Sequence, residues 1–131
     1  MTYQIHEKEL QNVFNLNAKE RYEHFIGKTC DWEEVWLLSD SKQCVLKVVV
    51  EDVEYIPVWP HPEYAVAFAK DSYSEYGPAQ LDIYSFVDSF LKEFVGLNIK
   101  IGVLPNLETT VWLMTPEDLQ KDISDELEQY E

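Results

Sequence analysis

The sequence predicts a single α+β domain: a mainly antiparallel sheet of about five or six strands with helices packed on it. Three observations carry this reading. Apolar residues recur at helical spacing in stretches near both ends, residues alternate at strand spacing between them, and the decapeptide 56–65 hands a strand directly to a helix across three prolines. At 131 residues the chain can bury roughly two-thirds of its unfolded surface, enough for one core and one domain. The expected domain spans residues 1–131, with 1–16 as an amino-terminal helical extension.

Leu10, Val13 and Phe14 share one helical face, and Asn17 can cap a second helix bearing Tyr22, Phe25 and Ile26. Near Asp31 the period becomes that of strands. Val35-Trp36-Leu37-Leu38, a polar turn at Asp40-Ser41-Lys42, and 45–50 read as a hairpin. Glu51-Asp52 turns the chain into Glu54-Tyr55-Ile56, completing an expected three-stranded antiparallel meander. Pro57, Pro60 and Pro62 then remove three backbone donors, so neither a helix nor an inner strand can run through them. Pro62 suits the first position of a helix continued by Glu63, Tyr64, Ala65, Phe68 and Ala69.

Residues 71–78 lack periodicity and read as the longest loop. Leu81 and Ile83 suggest a short strand, and Ser85 with Asp88 resembles a capping box opening a helix whose stripe includes Phe86, Val87, Phe90, Leu91 and Phe94. Alternation over 97–103 and a further strand at 109–114 predict a second hairpin across Pro105-Asn106. Thr115-Pro116-Glu117-Asp118 is a strong start for an acidic amphipathic helix with Leu119, Ile123 and Leu127 inward.

The charge excludes more than it identifies. Twenty-five Asp and Glu against ten Lys and Arg give a net charge of −15, which repels a phosphate backbone and disfavours nucleic acid. It leaves a protein with a basic surface as a fitting partner. Arg21 is the sole arginine and the four glycines are scattered, so neither a bidentate phosphate clamp nor a nucleotide loop is written here. No stretch approaches bilayer-spanning length and no basic-then-apolar leader opens the chain, so a cytoplasmic protein is expected, away from membranes. Cys30 and Cys44 at a helix end and a strand start read as free thiols. No cofactor is called for.

His61 and Glu63 are the weak catalytic candidates, since they follow a strand end and open a helix. The flanking prolines favour a structural His61 that caps backbone or packs on Trp59, and no nucleophile pattern accompanies it. His24 lies one turn from Glu20, but two ligands are too few for a metal, and neither His6 nor His61 joins them by spacing. No metal site is expected. Tyr73, Ser74, Tyr76 and Gly77 have the composition of an adaptable recognition loop, against the alternative of tyrosines lying over the core edge. With Trp59, Tyr73 and Tyr76 are the candidate binding residues.

On Arg21-Tyr22-Glu23-His24-Phe25, on Glu33-Glu34-Val35-Trp36-Leu37-Leu38 and above all on Pro57-Val58-Trp59-Pro60-His61-Pro62-Glu63-Tyr64-Ala65, the chain resembles the small bacterial family known as domain of unknown function 2750. Weaker matches follow at Phe86, Val103, Pro105-Asn106 and Pro116-Glu117. The chain departs from the pattern at Leu104, where phenylalanine is common, and at Lys42-Gln43-Cys44, where a Gly-Trp turn is frequent. The resemblance implies a fold and no catalytic residues. In architecture alone, the proline-marked step beside an acidic helix is similar to small adaptor and toxin-immunity domains.

The expectation is therefore a non-catalytic protein-interaction domain, adaptor or immunity-like. Its alternatives are a small hydrolase or small-molecule-binding protein using His61 and Glu63, and a structural homo-oligomer.

Overall fold

Local chemistry starts and stops the helices much as its residue types dictate. The computed structural model of the protein describes residues 7–70, 73–106 and 111–129. Helix α1 (Glu7–Phe14) is followed by α2 (Ala18–Trp32), which Asn17 opens through a reciprocal capping box with Glu20. Thr115 accepts a hydrogen bond from the Asp118 N–H at the start of α6 (Pro116–Glu128). On that helix Leu119 and Ile123 are fully buried, as their spacing requires.

Among the described residues, six strands form two sheets. Strands β1 (Glu34–Ser39) and β4 (Gly77–Asp82) make an antiparallel pair. The larger sheet has the order β2–β3–β5–β6, from β2 (Val48–Val50), β3 (Val53–Val58), β5 (Ile99–Val103) and β6 (Trp112–Met114). Its outer pairs are antiparallel and its central pair, β3 with β5, is parallel. A single bridge between Trp36 and Trp59 joins the two sheets, with Trp36 N–H to Trp59 O at 2.8 Å and the reverse bond at 2.9 Å.

That bridge explains the main departure from the expected meander. Because Trp59 occupies the edge of β1 near Trp36, the chain after the Asp40 turn pairs with β1 only briefly, through the Ser39–Val45 bridge and the Leu46 N–H to Leu38 O bond. The 35–38 and 45–50 stretches therefore form no full hairpin, and β1 has its full-length partner, β4, on the opposite edge. The turn itself is held by Asp40, whose carboxylate accepts from the N–H groups of Lys42 and Cys44. Cys44 is an exposed free thiol in that turn rather than the start of a strand, while Cys30 is free and buried.

Two boundaries also move. Gly77 and Pro78 belong to β4 rather than to a loop, and β4 ends at Asp82, not Ile83. Asp82, not Ser85, is the helix cap: its ionised carboxylate accepts from the N–H groups of Tyr84 and Ser85 and from the Ser85 hydroxyl, more than a serine cap offers. Helix α4 (Ile83–Ser85) then runs through a π-turn segment (Phe86–Phe90) into α5 (Leu91–Glu93). Of the predicted 109–114 strand, Thr109 and Thr110 lie outside the described residues, as do Asp71 and Ser72 of the predicted loop and His6.

The core gathers Leu37, Leu38, Ile56, Val58, Ile101 and Val103 from the sheets with Phe25, Phe86, Leu91, Leu119 and Ile123 from the helices. Gly102 is required by a close approach: a Cβ there would stand 2.3 Å from Cδ2 of the buried Tyr55 ring. Helix α3 (Pro62–Ala69) packs beside β1 and β4. It is the element that positions the candidate site.

Candidate functional site

Pro57 corrects the expectation that no inner strand runs through the three prolines: it lies inside β3, an inner strand, opposite Gly102 and beyond Tyr55, the last β3 residue that β2 pairs, so the donor it lacks is not needed there. Strand β3 stops at Val58, Trp59 and Pro60 turn the chain, and Pro62 opens α3 with Glu63 in its first turn, where the helix dipole favours a negative charge. One face of α3 forms the wall of a groove of about 820 Å³. Glu63, Val66, Ala67 and Lys70 line it from the helix, Leu10 from α1, and Ser74, Tyr76 and Pro78 from the far side. The lining is mainly apolar, and Val66 is 52% exposed on it. Glu63 Oε1 is buried and accepts no hydrogen bond from any described residue. Leaving such an acceptor without a donor costs about 1–3 kcal/mol.

The three candidate binding residues prove to be parts of one aromatic chain. Trp59 lies in the core at 0% exposure and contacts Phe68 with ring centroids 5.2 Å apart. Phe68 stacks on Tyr73 at 5.6 Å and 3°, and Tyr73 meets the edge of Tyr76 at 6.4 Å. Trp59 is thus an anchor with no surface to offer a ligand, and Tyr73 lies half-buried over the core edge. Tyr76 alone of the three lines the groove. Within the 73–78 segment, Tyr73 stacks on Phe68 while Tyr76 is the tyrosine on the groove. The sequence could not show that Phe68 connects them, nor that Leu10 and Val66 share the groove.

His61 caps no backbone group of α3 with its side chain. Its fully buried ring stacks on Tyr64, centroids 6.0 Å apart, and faces Trp32 at 6.4 Å. His24, from α2, meets the edge of the same Tyr64 ring at 6.5 Å. The turn at 59–61 leads the imidazole inward, where burial favours its neutral form. Of the two catalytic candidates, Glu63 lines the groove along α3 and His61 does not. Among the described residues no group of three or more His, Cys, Asp and Glu is placed to hold a metal, and no helix is long and apolar enough to cross a membrane.

Burial, then the neighbouring His24 and Lys28, push the His61 pKa down to about 4 from an ordinary 6.5, with Glu9 opposing. The unfolded chain consequently takes up this proton first as pH falls. Stability conferred by the neutral ring is complete above about pH 6.5 and is lost between there and pH 4. Urea unfolding of the wild type should lose about 1–2 kcal/mol more between pH 7 and pH 5 than His61→Phe, with solvent screening allowed for. Parallel pH profiles for the two proteins would remove His61 as the cause.

A second hollow, about 360 Å³, lies between α2 and α6 and is lined by Glu23, Asp122, Asp125 and Glu126. At its edge the Tyr22 hydroxyl donates to Asp122, and the Tyr22 ring stacks on Trp112. Burial and that carboxylate raise the Tyr22 pKa. Its composition would suit a cation, but its polar contacts serve to join the two helices.

Arg21 acts in the interior. It is 1% exposed, its Nε donates to the Leu104 carbonyl at 2.9 Å, and its Nη1 donates to the Leu16 carbonyl. Burial lowers its pKa. The sole arginine thus ties α2 to the turn after β5, a role that its lack of a second arginine could not reveal.

The model of a family described as "Protein of unknown function (DUF2750)" matches residues 22–123. That span includes β1 to β6 and all of α3, and leaves out α1 and its Leu10. Among curated proteins there is no match.

Proposed function

The chain belongs to the DUF2750 family, and on the strength of its groove we propose that it is a non-catalytic, cytoplasmic protein-interaction domain that takes a short segment of another protein between α3 and Tyr76. One observation carries the reading. Tyr76 and Glu63, singled out for unrelated reasons, line the same mainly apolar groove, while His61 turns inward. A surface of that kind combines a rigid aromatic anchor with apolar area that gains from leaving water. Its framework is pre-organised, because Tyr76 is braced through Tyr73 and Phe68 on a core tryptophan, and binding then orders fewer side chains. The net charge of −15 favours basic partners during encounter.

Selection of random peptides on the immobilised protein tests this. Apolar peptides should be enriched, and Val66→Asp, which sets a charge on the exposed groove wall, should weaken them at least tenfold while circular dichroism stays unchanged. Failure to enrich any peptide over the Val66→Asp control would overturn the reading.

A further inference from the structure

We infer that the groove along α3 is polarised, and that it selects a peptide segment carrying a basic side chain and an acidic one separated by about 10 Å, with apolar residues between. The inference rests on the reading of the groove as a peptide-contact surface. Glu63 and Lys70 both line it and are seven positions apart on one helix. Two turns of helix bring such residues to the same face, about 10 Å apart along the axis. Lys70 is still in right-handed helical geometry as the C-terminal cap, so the spacing holds to its end. Val66 and Ala67 lie between the two charges and supply the apolar floor.

The helix reinforces this polarity. Glu63 stands in the first turn, where the macrodipole favours its sign, and Lys70 follows Ala69 as the C-terminal cap, at the end that favours a cation. Glu63 Oε1 is buried and has no donor among the described residues, so the carboxylate must turn this oxygen to the groove before a peptide cation can pair with it. An extended peptide advances about 3.3 Å per residue, so a basic residue and an acidic one three positions later would meet both ends together. The excess of acid over base in the whole chain, 25 against 10, makes the basic residue the one that steers encounter.

Four synthetic heptapeptides of identical apolar sequence test the assignment by titration calorimetry or fluorescence anisotropy. They carry Lys and Glu, Lys and Gln, Gln and Glu, or Glu and Glu at the two positions three apart. The Lys/Glu peptide should bind tightest, with about a tenfold loss when its lysine becomes glutamine and a smaller loss when its glutamate does. Glu63→Gln should erase the lysine preference, Lys70→Gln the glutamate preference, and Glu63→Lys should improve the Glu/Glu peptide.

Equal binding of all four peptides would overturn the polarity and leave the peptide groove standing. Binding of none would overturn both. Spermidine that binds as tightly as the Lys/Glu peptide and displaces it would assign the groove to a small cation. A dimer of the free protein that Val66→Asp dissociates would assign it to a second copy, and either result would overturn the inference.

Discussion

Trp59→Ala is expected to cost about 4 kcal/mol of stability, the range for truncating a fully buried tryptophan. For a domain of this size that lowers the melting temperature by about 15 °C. The side chain is 0% exposed, its Nε1 donates to the Pro105 carbonyl at 3.4 Å, and its ring supports Phe68. Alanine would open a cavity where the two sheets meet and leave that carbonyl without its donor. Trp59→Phe should lose about 1–2 kcal/mol, for the hydrogen bond and the smaller ring, and so separates the packing part from the polar part. Thermal and urea unfolding followed by far-ultraviolet circular dichroism measure both. A Trp59→Ala protein within 1 kcal/mol of the wild type would show that the tryptophan does not hold the sheets together.

What could be read in the sequence follows from how far along the chain each cause acts. Asn17 with Glu20, Thr115 with Pro116, and Pro62 after Pro60 are local devices, and each helix start they announce is present. The pairing of strands is not local. The 45–50 run reads as the partner of 35–38 because a polar turn lies between them, yet the edge of β1 is held by Trp59, and β4 completes the pair. Asp82 was obscured for a related reason: Leu81 and Ile83 alternate like a strand, and only the hydrogen bonds from Tyr84 and Ser85 reveal a cap between them.

The candidate site was legible by composition and illegible by connection. Tyr76 and Glu63 stand out in the sequence through residue type and through the proline-marked step, and both line the groove. Trp59 and Tyr73 stand out equally, but burial makes them the support of Tyr76 rather than further contact points. Burial also sets the His61 ring against Tyr64 and lowers its pKa, which its place between two prolines does not reveal. Phe68, Tyr73 and Tyr76 stand 9, 14 and 17 residues beyond Trp59, and no period in the sequence encodes that proximity.

Arg21→Ala should cost about 3–4 kcal/mol, because two carbonyls would lose a charged donor in the interior while the methylenes leave a cavity. The turn it grips is itself strained. Leu104 is fully buried and has φ of 47°, in the left-handed region that a residue with a Cβ rarely adopts. Its N–H is held by the Val58 carbonyl at 2.8 Å and its own carbonyl by Arg21, while Trp59 holds the carbonyl of Pro105 and Asn106 donates to that of Phe14. Arg21→Lys keeps the charge but presents a single ammonium in place of the planar fork, and should recover no more than half the loss. Arg21→Met restores volume without a donor and should remain about 2 kcal/mol below the wild type. If the strain at Leu104 is held by both side chains together, Arg21→Ala and Trp59→Phe will not be additive. The double variant should show a coupling of about 0.5–1 kcal/mol in urea unfolding, since both remove a bond to consecutive carbonyls of one turn. Strict additivity, or an Arg21→Met protein as stable as the wild type, would mean that the turn keeps its conformation without the arginine.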